Sequence, residues 1–288
     1  MTKPITGHTG LMCLLGSPCK HSISPMMHNK SFEALGLDYR YLAFEVTEDT
    51  LESAVDGLKT LGARGFNLTM PCKNKMVALC DELSPAAKLI GAVNTVVNEN
   101  GRLIGHNTDG IGYMQSVRDA GYDIIGKKMV LLGAGGAATA ILVQAALDGV
   151  REISVFLRKT SRFYARAEAT AAALRNEIGC KITLCDFNDS AALRRELADS
   201  AILVNGTSIG MAPDVEACPI PEADFLPDNI IVSDIIYNPK ETKLLAMARE
   251  RNLPYFNGTY MLLYQGAEAF RLWTGCEMPV ALIKECFF

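Results

Sequence analysis

Four short polar clusters in the first part of the chain carry the groups that acid/base chemistry needs. They are His21-Ser22-Ile23-Ser24-Pro25, the segment from Asn67 through Thr69 to Lys73, Asn94-Thr95, and His106-Asn107-Thr108-Asp109-Gly110. Lys73 is best suited to moving a proton. With Lys75 it opens an expected helix, where the macrodipole disfavours positive charge, a setting that suits proton transfer near neutrality. A solvated surface side chain is the ordinary alternative for any lysine. Asp109 would orient such a lysine, or else serve as N-cap of a helix over Gly110–Ala120. Ser24 before Pro25 reads as the N-cap of a helix running to Leu35, yet hydroxyls at a helix N-terminus also hold carboxylates. Ser22 is not needed for that cap, which inclines the pair toward a ligand; both readings stand. Asn67, Thr69 and Asn94 fall at expected strand ends, where ligands gather in α/β sheets and where ordinary turn hydrogen bonds also form. Gln265 interrupts the apolar stretch Met261–Ala267, so its amide needs a partner, either a ligand or the backbone.

The elements that must position these groups alternate between strand and helix. Strands are expected at Gly10–Gly16, Tyr39–Val46 and Gly65–Met70, with helices over Pro25–Leu35 and Leu51–Leu61 between them. In Tyr39–Val46 the residues Tyr41, Ala43 and Glu45 alternate with Leu42, Phe44 and Val46. Asn100-Gly101, between Ala92–Val97 and Arg102–Gly105, is a strong hairpin signal. The middle of the chain then reads Met129-Val-Leu-Leu-Gly133-Ala-Gly135-Gly136-Ala-Ala138, an apolar strand ending in a glycine turn and a helix start. Glycines there let backbone amides approach a pyrophosphate, and the small Ala138 allows close packing of helix on strand. Further strands follow near Ile153–Leu157, Ile182–Cys185, Ala201–Asn205 and Ile230–Ile236, with helices near Phe163–Glu177 and Ala191–Ala198. The tail adds helices over Thr242–Arg251, Thr259–Trp273 and after Pro279. This alternation implies a parallel sheet covered on both faces. Two α/β domains are therefore expected: residues 1–108, with 258–288 packing back on them, and residues 109–257.

Composition bounds the function. A net charge of −4 lacks the basic surplus that nucleic-acid binding needs. No apolar run reaches the ~20 residues of a membrane span, and the first residues carry no signal-like core. Nine cysteines follow no Cys-x-x-Cys or zinc spacing, and His8, His21, His28 and His106 form no metal-binding pattern. Buried thiols in a reducing cytoplasm and a metal-free protein are the expectation.

Taken together, the segments HSISPMMHN, NLTMPCKNK, GAVNTVVNENGRLIGHNTDG, VLLGAGGAATA, VNGTSIGM and NGTYMLLYQGAEAF resemble the shikimate dehydrogenase family, including its quinate/shikimate branch. They run in family order over nearly the whole chain. The resemblance implies an N-terminal substrate domain, a Rossmann-type dinucleotide domain, and C-terminal helices returning to the first. It implies that Ser22 and Ser24 bind the substrate carboxylate, and that Asn67, Thr69, Lys73, Asn94, Asp109 and Gln265 surround the ring hydroxyls. Lys73 and Asp109 would be the catalytic pair. Tyr41 matches a tyrosine of the quinate-using branch and would add a substrate contact. On the cofactor side, Gly133, Ala134, Gly135, Gly136 and Ala137 would hold the pyrophosphate. Asn205, Thr207, Met211 and Tyr237 would border the ribose and nicotinamide, with Gly258 and Met261 closing the site.

The implied reaction is the reversible reduction of 3-dehydroshikimate to shikimate in chorismate and aromatic amino-acid biosynthesis, in the cytoplasm. Closure of the two domains would exclude water. The second nucleotide-domain strand ends Leu157-Arg158-Lys159-Thr160-Ser161-Arg162, where an NAD enzyme places an acid. Members of the family using NADP commonly carry Asn-Arg-Thr there; this chain has Leu157 in place of the asparagine but keeps Arg158 and Thr160. Cations without an acid favour the 2′-phosphate of NADP over NAD. The rival readings are a catabolic enzyme taking quinate with NAD, a non-catalytic metabolite sensor, and another two-domain dehydrogenase taking a folate-like ligand. Monomer and homodimer both occur in the family.

Overall fold

The computed structural model describes residues 4–288, and the chain divides into two compact units. One comprises residues up to 108 together with 263–288, the other residues 109–262. The return to the first unit begins at Leu263 rather than at residue 258.

The first unit contains β1 (Gly10–Gly16), α1 (Ser24–Leu35), β2 (Tyr39–Glu45), α2 (Leu51–Thr60), β3 (Gly65–Leu68), a 3₁₀ helix (Lys75–Leu79), β4 (Glu82–Leu83), α3 (Pro85–Ile90), β5 (Thr95–Glu99) and β6 (Arg102–His106). Its six strands lie in the order β2-β1-β3-β5-β6-β4. β1 pairs in parallel with β2 and β3, whereas β5 runs antiparallel to β3 and β6. The reversal between β5 and β6 is the Asn100-Gly101 turn, whose φ values of 56° and 93° are the left-handed pair that a tight hairpin requires. Register sets Asn67 opposite Thr95 across β3 and β5, so two site candidates are neighbours through strand pairing.

β2 forms the edge of this sheet, and its two faces differ from the simplest reading of its pattern. Tyr41 is fully buried, while Leu42 and Phe44 are exposed. The reason lies on α1. The Asn29 amide donates to the Tyr41 carbonyl (2.8 Å) and accepts from the Tyr41 N–H (2.9 Å), satisfying backbone groups that β1 does not pair. That seam draws Tyr41 inward against α1.

The second unit runs α4 (Asp109–Asp119), β7 (Lys128–Leu132), α5 (Gly136–Asp148), β8 (Glu152–Leu157), α6 (Tyr164–Glu177), β9 (Lys181–Asp186), α7 (Ser190–Leu197), β10 (Ile202–Asn205), a 3₁₀ turn (Ala223–Phe225), β11 (Ile231–Asp234), α8 (Lys243–Glu250) and β12 (Tyr255–Phe256). The sheet order is β9-β8-β7-β10-β11-β12, every pairing parallel. This is the doubly wound order of dinucleotide-binding sheets, with its switch point between β7 and β10. At the opposite, amino end, Lys128 is buried against Glu196 (2.9 Å) and Asp199 (2.6 Å). The carboxyl end carries the open glycine turn.

α9 (Thr259–Thr274) starts in the second unit and continues into the first, followed there by α10 (Val280–Phe287). In the first unit Trp273 donates its indole N–H to the Val96 carbonyl (2.8 Å). The absent side chain of Gly65 makes room for that ring, since a Cβ there would collide with it.

Three local expectations change. Ser24 is the first residue of α1, not its cap; the cap is Ile23, without a side-chain bond, and the Ser24 N–H is taken by the Ser22 hydroxyl (3.2 Å). Ser22 therefore has a structural task that the sequence did not suggest. Lys73 sits in a turn before a five-residue 3₁₀ helix in which only Met76 is buried. No amphipathic stripe supports an α-helix there, so the macrodipole argument for Lys73 lapses. Asp109 lies in the first turn of α4 as its first residue rather than capping it from outside.

Candidate active site

In the first unit the polar residues form a continuous hydrogen-bonded row at the sheet. The Tyr41 hydroxyl donates to Asn67 Oδ1 (2.7 Å). Asn67 Nδ2 donates to the Asn94 carbonyl (3.0 Å) and to Thr95 Oγ1 (2.9 Å). The Thr95 hydroxyl donates to Asn94 Oδ1 (3.0 Å), which also accepts the Thr108 N–H (2.8 Å), while Asn94 Nδ2 donates to Thr108 Oγ1 (3.0 Å). Both Nδ2 hydrogens of Asn67 are thus used, and its Oδ1 keeps one accepting position. Asn67 can only accept from a ligand, so it suits a hydroxyl that donates. Tyr41 has no accessible surface, so its contact with a ligand would run through Asn67 and not through its own hydroxyl.

Lys73 joins this row through its backbone, its carbonyl accepting the Val93 N–H (2.9 Å) one residue before Asn94. Its side chain is half-buried. Thr69, also half-buried, follows β3 and its N–H donates to the Leu15 carbonyl (2.9 Å). The Ser22–Ser24 segment is anchored from β2: Glu45 accepts the Cys19 N–H (3.0 Å). The Cys19 N–H, followed by the Ser17 hydroxyl, holds the Glu45 carboxyl below the usual carboxylate range. Gln265 lies on the part of α9 that belongs to the first unit. Asp109 opens the second unit.

Behind Tyr41 lies His28, fully buried, its ring stacked on the Tyr41 ring at 4.4 Å. Neither of its ring nitrogens has a hydrogen-bond partner, and burial lowers its pKa to about 3. Nothing in the sequence around His28 beyond the absence of a metal-binding spacing points to this burial.

In the second unit a cavity of about 980 Å³ opens at the carboxyl ends of β7, β8, β10 and β11. Gly133, Ala134, Gly135, Gly136 and Ala137 form one side of it, Arg158 another, and Thr207, Met211 and Tyr237 a third. Gly133 has φ +97°, and a Cβ there would lie 2.8 Å from the Thr207 methyl, so only glycine lets these two walls meet. At Gly135 and Gly136, by contrast, an added Cβ would point into open space. There the N-terminus of α5 faces the cavity with an N-cap of Gly135, no side-chain cap and no acid in the first turn. Unused N–H groups of a 13-residue helix beside that space fit a pyrophosphate.

Four residues expected on the cofactor side do not line this cavity. Asn205 is fully buried and braces Thr207 instead of reaching the cavity. Thr160 is exposed on the turn after β8 and does not line the cavity. Gly258 packs on the Ile235 carbonyl, where a Cβ would collide, and Met261 is buried on α9. The cavity also has liners that motif matching passed over: Ser161, Phe163, Phe187, Asn188, Ile235 and Ile236. The rule that ligands sit beyond strand carboxyl ends would have found Phe187-Asn188 after β9 and Ile235-Ile236 after β11. Phe163 carries the Arg162 and Arg166 guanidinium groups at 4.7 and 5.0 Å from its ring centre.

A doubly wound parallel sheet with an uncapped glycine turn, an arginine and no acid at the end of β8, and a separate unit bearing a hydroxyl-accepting row define a two-unit NAD(P)-dependent dehydrogenase. Residues 14–96 match the shikimate dehydrogenase substrate binding domain, and residues 258–285 the shikimate 5′-dehydrogenase C-terminal domain. A shikimate dehydrogenase (NADP(+)) of Listeria monocytogenes is 52% identical over 288 residues, covering 100% of this chain and 99% of the relative. The crystal structure of a Listeria monocytogenes shikimate 5-dehydrogenase in complex with shikimate and NAD has a TM-score of 0.96 at 52% identity, covering 100% of this chain and 99% of that one. A quinate dehydrogenase from Corynebacterium glutamicum in complex with NAD has a TM-score of 0.85 at 30% identity, covering 97% and 98%. The chain belongs to the shikimate dehydrogenase family.

Proposed function

We propose that this chain interconverts 3-dehydroshikimate and shikimate with NADP, as a step in aromatic amino-acid biosynthesis. Ser22 and Ser24 hold the ring carboxylate. Asn67 accepts from one ring hydroxyl, and Thr69, Asn94 and Gln265 bind the others. Bound in its cavity, NADPH would supply the hydride for reduction and NADP+ would take it up in the reverse direction. Lys73 donates a proton to the carbonyl oxygen as hydride reaches its carbon, and recovers one from the hydroxyl in reverse. Asp109 orients Lys73 and balances its charge. Gly133–Ala137 and the α5 N-terminus hold the pyrophosphate, and Arg158 binds the 2′-phosphate.

The observation that supports this reading is the Tyr41–Asn67–Thr95–Asn94 row, which leaves Asn67 an accepting position suited to a donating ring hydroxyl. The basic end of β8 supports NADP. Quinate, which shares the carboxylate and most hydroxyls, is the second substrate to consider, given the likeness to the Corynebacterium quinate dehydrogenase. Nine free cysteines accord with a reducing cytoplasm, and no helix among the described residues is long and apolar enough to cross a membrane. The enzyme works as a monomer or homodimer on small molecules. Initial rates with shikimate and quinate, each with NADP and NAD, test the reading. Shikimate with NADP should be the fastest pair; faster turnover of quinate with NAD would reverse both assignments.

A further inference from the structure

Asp234, at the end of β11, is fully buried and, among the described residues, accepts hydrogen bonds from uncharged groups. Its carboxylate takes Asn205 Nδ2 on both oxygens (3.1 Å each), the Ile236 N–H (3.0 Å) and the Thr242 hydroxyl (2.8 Å). Burial pushes the carboxyl up from its usual range, opposed by those three donors. On its other side, Asn205 Oδ1 accepts the Thr207 hydroxyl (2.7 Å) and the Thr207 N–H (3.1 Å). The Thr207 hydroxyl in turn accepts the Ile209 N–H (3.0 Å). Thr207, Ile209 and Ile236 all line the nucleotide cavity, and Thr207 closes on the Gly133 turn.

We infer that Asp234 is a positioning residue of the nucleotide cavity: through Asn205 it fixes the Thr207–Ile209 wall, and through the Ile236 N–H it fixes the segment that carries Tyr237. The inference rests on the reading of this cavity as the dinucleotide site. An ionised carboxylate only accepts, so with the Ile209 carbonyl, which also takes Asn205 Nδ2 (3.2 Å), it compels Asn205 to turn its amide hydrogens away from Thr207 and its oxygen toward it. An asparagine at 234 keeps one oxygen but puts an NH2 where the other carboxylate oxygen stood, so one of the two contacts to Asn205 Nδ2 becomes donor against donor. Turning Asn205 over to relieve that conflict would confront the Thr207 N–H with a donor. Either way Asn205 holds the Thr207 wall less firmly, and Asp234, which does not line the cavity, acts on it only from behind.

Dissociation constants of NADPH and of shikimate, measured separately on the full chain, test this. In Asp234→Asn the NADPH constant should rise about tenfold, with the shikimate constant within about twofold of wild type. In turnover the KM for NADP should rise while that for shikimate holds. In the double variant N205D/D234N the carboxylate at 205 accepts both from Thr207 and from the amide introduced at 234, and part of the lost NADPH affinity should return. Folded D234N with an NADPH constant within about twofold of wild type would overturn the inference, as would parallel weakening of both ligands or a swap without recovery. If D234N does not fold, Asn205→Ala carries the test: a selective loss for NADPH of about fivefold or more supports it, and no loss overturns it. A wild-type chain that binds no NADPH would overturn the cavity's assignment, and the inference with it.

Discussion

Replacing His28 with phenylalanine should remove much of the acid sensitivity of the first unit. The imidazole is enclosed by Tyr41 at 4.4 Å, Trp273 at 5.3 Å, Phe270 at 6.1 Å and Phe32 at 6.3 Å, with no partner for either nitrogen. Burial lowers its pKa from 6.5 to about 3. Between these values the unfolded chain binds a proton that the folded chain refuses. Stability is therefore complete above the unfolded value and declines as pH falls toward about 3. At pH 5 the unfolded histidine is protonated and the folded one is not, which over about 1.5 pH units amounts to about 2 kcal/mol. Phenylalanine keeps the ring stack and abolishes this titration. At pH 7 it also removes two unsatisfied polar atoms, so stability there should hold or rise.

Trp273, the chain's single tryptophan, lies in the same aromatic cluster and reports on this unit. Urea unfolding followed by its fluorescence at pH 7 and pH 5, in wild type and His28→Phe, isolates the effect. Carboxylates titrating elsewhere contribute equally to both proteins and cancel. The wild type should lose about 2 kcal/mol more than the variant over this interval. Losses agreeing within about 0.5 kcal/mol would refute the reasoning, because His28 would then have found a partner or water that accommodates its charge.

Three further substitutions probe the site. Lys73→Ala should lower kcat by about a hundredfold or more and leave shikimate affinity comparatively unchanged; near-normal turnover would remove Lys73 from the chemistry. Tyr41→Phe deletes the 2.7 Å bond that orients Asn67, a loss of about 1 kcal/mol, so the KM for shikimate should rise several-fold with that for NADP unaltered. An unchanged KM for shikimate would mean that Asn94 and Thr95 hold the Asn67 amide without Tyr41. Gly133→Ala places a Cβ against the Thr207 methyl at a φ of +97°, and should raise the KM for NADP by about tenfold or more. A variant with ordinary NADP kinetics would show that the two walls need not approach so closely.

The glycine turn, the Asn100-Gly101 hairpin and the long alternation of strand and helix were legible because each depends on residues adjacent in the chain. The two-residue strands β4 and β12 and the short α3 were not, being too brief to show a period. The helix start at the serine loop and the helix expected at Lys73 differ in the structure for a related reason. A cap or macrodipole argument presumes where a helix begins, and that is decided by what the turn packs against. Motifs supplied the polar residues of the first unit as a set, but not that the Tyr41 hydroxyl bonds to Asn67, nor that Asn205 stands behind the cavity wall.

By itself the sequence determined the type and order of the elements, the nucleotide-binding turn and the chemical identity of the polar groups, since backbone preference and side-chain period are local properties. Only the tertiary structure decided which way Asn67 and Asn205 point, that His28 is buried without a partner, and that Asp234 lies behind the Thr207 wall. Each of these is fixed by hydrogen bonds and ring contacts between residues far apart in the chain, and a buried amide or acid takes its meaning from whichever donors and acceptors the fold brings to it.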